Sequence, residues 1–326
     1  MDKTIYNTLI FEELNEIMNT SEVYFLKAQR PRYVRSESLV IKLPELLEKA
    51  GVNEVVNKDY TVAIKLHLGV SGGYRTIRPP FVRQVVDVIR KSGGKPFLTD
   101  TWGLGHVEDA YLGGLSYATV NAPVIPANGI KENDYRIVKL EDGFHLKEVN
   151  VAGNIYDADA LINFAHGKGH GSCGYAGAIK NLALGCTTSD IRRKEHDLER
   201  TEGGAGKFQE AMVDVVKAVL SNKKRKALHI VWAMDIVEYC DCAPFGMVPF
   251  VPDIGILASR DIVALEKACL DLINEAPPLP WSVADKHRLK PGDNKFLRIH
   301  GKDPFIQVYA AEKARLGTTK YQLVEL

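Results

Sequence analysis

Apolar positions along the chain alternate between short continuous runs and stripes at helical spacing, with glycine or proline at most changeovers. VYFLK (23–27) predicts a strand, and LPELLEKAG (43–51) predicts a helix closed by glycine. TVAIKLHLG (61–69) predicts an apolar strand that ends in polar chemistry. Pro79 and Pro80 then open a helix in which Phe81, Val82, Val85, Val86 and Ile89 share one face, before a pair of glycines ends it. KPFLTD (95–100), DALINFAHG (159–167) and RKALHIVWAMDI predict further strands, and FQEAMVDVVKAVLS (208–221) an amphipathic helix. DIGILASRDIVALEKACLDLINEA reads as a short strand, a turn and a helix capped by Asp261. Turn-forming residues in 120–157 predict an antiparallel hairpin.

The strand, helix, strand order favours parallel neighbours joined by right-handed crossovers. The expected fold is therefore a three-layer α/β unit: a mixed or mostly parallel sheet, flanking helices and a small hairpin addition. Such a sheet carries Lys65, His67 and Asp100 toward one carboxyl edge, the default place for a site. Residues 1–280 are expected to form a single α/β domain or two closely packed lobes. Residues 281–326 are expected to be a C-terminal cap or a subunit-contact segment.

Composition narrows the partners. Among 326 residues, Lys plus Arg is 42 and Asp plus Glu is 41, so a formal charge of +1 provides no global field for nucleic acid. The KKRK run (223–226) reads as a charge group on a wet surface at a helix C-terminus. MDKTIYNTLIFEELNEIM lacks a basic leader and an apolar h-region, and no apolar run is long enough to cross a bilayer. A cytoplasmic protein without a membrane partner is the expectation. Five cysteines, odd in number and unevenly placed, suggest metal, redox or core roles rather than a disulfide scaffold.

The densest chemistry lies in HGKGHGSCGYAGAIKNLALGC (166–186), where Lys168 and Lys180 offer charge, His166 and His170 imidazoles, and Cys173 and Cys186 thiols. GYAGAIKN also has the form of a helix start whose free N–H groups accept an oxyanion beside Lys180. Neither GxGxxG nor a P-loop sequence is present. In KLHLG, Lys65 and His67 share a face if the strand continues, so that a lysine binds an anion while a histidine moves a proton or ligates metal. A surface lysine and a strand-end histidine are the plain alternative. In EYCDCAPFG, Cys240 and Cys242 reach one soft metal centre, to which Cys186 adds a third thiolate and Cys173 a fourth. Reduced thiols packed near a loop are again the alternative. Cys269 sits on the apolar face of its helix and reads as core, and His196 reads as part of a charged, solvated connection. Trp102 and Tyr175 flank an organic ligand or simply pack, and Asp100 orients a histidine, binds metal or caps the DTWG turn.

In order, KLHLG, IRPPFVRQVVD, GGKPFLTD, KGH, GAIKNLALGC, CDC and PDIGILASRDIVAL resemble the family catalogued as domain of unknown function 362, often described as iron-sulfur centre proteins. The resemblance spans about residues 20–275 and maps onto Lys65, His67, Lys168, His170, Lys180, Asn181, Cys186, Cys240 and Cys242. His196 falls where many relatives carry a histidine before an inserted ferredoxin-like segment. That insertion is absent here, because EHDLERTEGGAGK runs directly into the helix near Phe208. DTWGLG also departs from the family's DTNTLY-like form.

The resemblance implies an iron-sulfur enzyme, with a 4Fe-4S cluster on Cys186, Cys240 and Cys242, Cys173 in reserve and His196 as a further metal ligand. Lys65, Lys168 and Lys180 then bind a small anionic substrate, His67 or His170 transfers a proton and Asn181 orients an oxygen. Asp100, Trp102 and Tyr175 complete the expected substrate pocket. Zinc at a mixed Cys/His site is the nearest alternative. A non-catalytic iron-sulfur carrier with a redox or cluster-transfer protein as partner is another, and a homo-oligomer whose cysteines remain thiols is a third.

Overall fold

In the computed structural model, which describes residues 20–245 and 247–326, the apolar runs become the strands of one sheet. In chain order the strands are β1 (Ser21–Lys27), β2 (Thr61–Lys65), β3 (Lys95–Thr99), β4 (Tyr135–Lys139), β5 (Glu148–Ala152), β6 (Ala160–His166), β7 (Lys168–His170), β8 (Gly174–Ala176), β9 (Ala227–Ala233), β10 (Gly255–Ser259) and β11 (Tyr321–Glu325). Seven of them form a sheet in the order β11-β1-β10-β9-β6-β2-β3. β3, β2, β6 and β9 run parallel, β10 is antiparallel to both β9 and β1, and β11 is parallel to β1. β6 and β9 are buried at every residue, as central strands covered on both faces must be.

Helices cover both faces. Against one lie α1 (Leu39–Lys49), α2 (Pro79–Lys91) and α3 (Gly103–Leu112); Leu46, Val82 and Val107 pack there with Ile64, Ile162 and Trp232. Against the other lie α4 (Ala178–Gly185), α5 (Ser189–Glu199), α6 (Gly204–Leu220), α7 (Ile262–Glu275) and α8 (Phe305–Lys313); Leu182, Met212, Leu265 and Val308 pack there with Leu161 and Ala165. Successive residues of β6 thus serve opposite cores. The three-layer α/β architecture has a small hairpin, β4–β5, as its addition. A second hairpin, β7–β8, is shorter and stands at the site.

Local signals translate directly in several places. Pro79 is the first residue of α2, and Asp261 Oδ1 accepts the Val263 and Ala264 N–H groups at 2.9 and 3.0 Å to start α7. The strand predicted over 61–69 instead stops at Lys65. Beyond it the backbone turns to side-chain partners: Leu68 N–H donates to Asp100 Oδ2 (3.3 Å) and Gly69 N–H to His67 Nδ1 (3.0 Å), with Gly69 at φ +96°. Strand alternation therefore does not relate Lys65 to His67. Lys223, read as a surface charge, is buried and donates to the Tyr156 carbonyl (2.7 Å); burial pushes its pKa down to about 8. No helix among the described residues is long and apolar enough to cross a membrane. The reading of the first eighteen residues lies outside the described residues.

Candidate active site

The carboxyl ends of β2, β3, β6 and β9 share one edge, and their registers align a row of buried polar residues beneath it. Lys65 pairs in register with both Thr99 and Asn163, and Asn163 with His229. Lys65 Nζ donates to Asn181 Oδ1 on α4 (2.8 Å) and lies 3.1 Å from Asp100 Oδ1, just past β3. The Asn181 amide nitrogen donates to the Lys65 carbonyl (3.0 Å) and to Asn163 Oδ1 (2.7 Å). Asn163 in turn contacts His229 Nδ1 (3.1 Å) and donates to the Ala178 carbonyl (3.0 Å). Gly185 lets α4 approach this row, since an added Cβ would overlap the end of the Lys65 side chain and lie 2.8 Å from Asp100 Oδ1.

Above the row is a cavity of about 130 Å³ whose wall includes Lys65, His67, Asp100, Trp102, Lys168, His170, Lys180, Asn181, His196, Cys240 and Cys242. A wider cleft of about 1180 Å³ opens elsewhere, beside Ala227 and Lys217, but contains none of these residues, so the smaller cavity is the chemically competent one. The backbone brings the KGH and CDC motifs together. Gly167 N–H donates to the Trp232 carbonyl (3.1 Å) and Gly169 N–H to the Val237 carbonyl (2.8 Å), and a side chain at Gly169 would strike the Glu238 backbone.

At that junction the ligand atoms of His170, Cys240 and Cys242 all lie within 4.8 Å of one another. Two thiols and an imidazole suit a divalent ion of the zinc type, with room for a further ligand from the cavity. Burial, helped by the Lys180 charge, pushes His170 down to about 3, so the ring is neutral and able to ligate. Cys240 is held well below the ordinary thiol pKa, first by its hydrogen bond with the Cys242 thiol and then, against burial, by the Lys180 charge; His67 also hydrogen-bonds to it. Cys242 is pushed up by the same hydrogen bond with Cys240 and by burial. Cys240 Sγ accepts from the Cys242 N–H at 3.4 Å and from Lys180 Nζ at 3.9 Å. Burial works against the Lys180 ammonium, but Cys240, Cys242, Cys173 and Asp241 raise its pKa above the ordinary value.

The expected cluster ligands do not assemble. Cys186 follows the last residue of α4 and packs in the core, where burial pushes its thiol up to about 12, and it does not line the cavity. Cys173 is also buried; its thiol lies 3.1 Å from the Tyr175 carbonyl and 3.6 Å from His170 Nδ1, and burial raises it to about 12. Cys269 is core, as expected. An iron-sulfur cluster held by three or four cysteines is thus replaced by a set of two cysteines and one histidine. His196 reaches the cavity wall but stacks on Phe208 (4.9 Å between ring centroids) and pairs with Glu199 at 3.3 Å, outside the ligand group.

Other expectations change as well. At the N-terminus of α4 the Ile179 N–H is already taken within the protein, by Glu266 Oε1 at 3.1 Å. Tyr175 packs against Phe296 in the core, away from the cavity. Both donors of Asn181 are used within the protein, so it holds Lys65 in place and has none left for a ligand. Asp100 also accepts the Thr101 N–H (2.9 Å); burial opposes its charge, but Lys65, His106 and His67 keep the carboxyl below its ordinary pKa. Trp102, at φ +78° and 45% exposed, stands at the cavity wall between the His106 ring (4.9 Å) and the Arg192 guanidinium (5.4 Å).

Asp241, between the two cysteines, is a part of the site that motif reading passed over. It contacts His166 Nδ1 and Lys168 Nζ, each at 2.9 Å, and these two neighbours hold its carboxyl pKa down despite burial. Asn163, His229 and His106 were also missed. A lone polar residue inside each otherwise apolar strand, Asn163 in β6 and His229 in β9, was the available signal for the first two.

Residues 62–271 match the family described as Domain of unknown function (DUF362). A thylakoid-associated protein of Synechocystis sp. is 26% identical over 268 residues, which cover 80% of this chain and 78% of that protein. Among solved structures, the lactate racemase apoprotein of Thermoanaerobacterium thermosaccharolyticum aligns with 94% of this chain and 83% of its own, at 12% identity and a TM-score of 0.45.

Proposed function

The chain belongs to the domain of unknown function 362 family, and from the site itself we propose that it is a metal-dependent enzyme acting on a small anionic organic substrate. A divalent ion of the zinc type would be held by His170, Cys240 and Cys242. The observation that carries this reading is the convergence of those three ligand atoms within 4.8 Å at the wall of a cavity that also gathers lysines and His67. Such an ion supplies Lewis acidity toward a carbonyl or a water oxygen.

The protein's own residues provide the rest. Lys180 presents a buried positive charge beside Cys240 and draws an anion into the cavity. His170 serves as a ligand and His196 is engaged by Phe208 and Glu199, so His67 is the imidazole assigned to proton transfer within the cavity. Lys65, held by Asn181 and paired with Asp100, forms the polar floor of the site. Trp102 walls the entrance and limits the water that reaches the reacting group.

The test is elemental analysis of the full chain after zinc loading and dialysis, paired with a mass-spectrometric screen of small organic anions for turnover. The expected result is about one zinc per chain, lost together with turnover in a Cys240→Ser, Cys242→Ser double variant. A chain that retains no divalent ion overturns the proposal.

A further inference from the structure

Three lysines face one cavity, but two of them already have a carboxylate partner. Lys65 Nζ lies 3.1 Å from Asp100 Oδ1, and Lys168 Nζ lies 2.9 Å from Asp241 Oδ2. His166 shares the Asp241 carboxylate and does not line the cavity. Lys180 differs, because among the described residues no carboxylate oxygen lies within 4.0 Å of it, and its near neighbour is Cys240 Sγ at 3.9 Å. The residue is only 9% exposed, so its charge is directed into the cavity rather than into solvent.

The inference rests on the metal-bound reading in one respect. When two thiolates and a neutral imidazole hold a divalent ion, the charges of ion and ligands cancel. Cys240 then no longer answers Lys180. Glu195, fully buried and without a hydrogen-bond partner at either oxygen, makes no ion pair with Lys180, and burial raises its carboxyl pKa. Lys180 is thus left without a carboxylate partner, and a desolvated charge is costly until it is paired. The space of about 130 Å³ is well below the roughly 300–1,000 Å³ of pockets that take drug-sized ligands.

We propose that the cavity selects a short organic monocarboxylate, whose single charge pairs with Lys180, and discriminates against dicarboxylates of similar size. A second carboxylate meets Lys65 and Lys168 already paired and is desolvated without a partner. Selectivity therefore comes from the carboxylates that neutralise two lysines as much as from the lysine that is left.

The test is calorimetric binding of propionate and malonate to the zinc-loaded full chain at pH 8, above the ordinary histidine range, with zinc content measured on the same sample. Propionate is expected to bind at least about tenfold tighter than malonate, a difference of about 1.4 kcal/mol. Lys180→Gln should abolish that binding, and Lys180→Arg should restore part of it. Asp100→Asn, which frees the Lys65 charge, should shift preference toward malonate. Malonate binding as tightly as propionate, no binding of either, or propionate binding unchanged in Lys180→Gln overturns the proposal. If any of these occurs in zinc-replete protein, the metal site stands and only the monoanion claim falls. Protein that takes up no zinc removes the premise instead.

Discussion

Lys65 Nζ and Asp100 Oδ1 lie 3.1 Å apart with their side chains 1% and 4% exposed, an ion pair that joins the ends of two adjacent parallel strands under the cavity. Removing one member of such a pair strands the other charge in the protein interior. Lys65→Met is expected to destabilise the fold by about 3–5 kcal/mol in urea unfolding. Adding Asp100→Asn should recover part of that loss, because the stranded charge is gone. A double variant no more stable than Lys65→Met alone contradicts a functioning ion pair.

Gly185 and Gly206 both lie in helices, α4 and α6, yet alanine should act with opposite sign at the two sites. At Gly206 the nearest atom to an added Cβ is Ile306 Cδ1 at 3.9 Å, so helix propensity gives up to about 1 kcal/mol of stabilisation. At Gly185 the methyl overlaps the Lys65 side chain, which is fixed by Asp100 and Asn181 and has little room to withdraw. A loss of about 1–3 kcal/mol is expected there, together with weaker anion binding. Thermal unfolding of the two variants checks the signs, and stabilisation by Gly185→Ala would show that α4 does not press on Lys65.

Glu266 makes stability depend on pH in a definite direction. Burial raises its folded pKa to about 8 from an ordinary value of 4.5. Between those values the folded state holds a proton that the unfolded chain has released, so stability falls as pH rises from about 4.5 to 8 and levels off above. The slope from this one group is at most about 1.4 kcal/mol per pH unit. Glu266→Gln keeps an oxygen for the Ile179 N–H and removes the titration, so its stability should decline less steeply than wild type from pH 5 to 8. Equal slopes in denaturant unfolding would contradict the buried neutral carboxyl.

The fold was legible where signals were local. Pro79 marked the start of α2, Asp261 capped α7, and the βαβ order of 61–100 placed Lys65 beside Asp100. The KGH and CDC motifs were legible as chemistry, but their meeting depends on Gly167 and Gly169 N–H groups bonding to carbonyls more than sixty residues away. Cys186 was misplaced although a signal existed. Ile179, Leu182, Ala183 and Cys186 form one apolar helical stripe, whereas Lys180, Asn181, Leu184 and Gly185 line the cavity, so the thiol belongs to the buried side. Glu266, which fills the start of α4, lies 87 residues from Ile179, and no local pattern announces it.

Cobalt titration of the metal-free chain, followed by absorption, tests the His170, Cys240 and Cys242 centre most directly, because thiolate ligands add a sulfur-to-metal charge-transfer band that carboxylate or imidazole ligands lack. The expected result is about one cobalt per chain with that band, preserved in Cys186→Ser, lost in the Cys240→Ser, Cys242→Ser double variant and weakened in His170→Ala. A band that disappears with Cys186→Ser while surviving the loss of Cys240 and Cys242, or no sulfur band at all in the wild-type chain, would contradict the site.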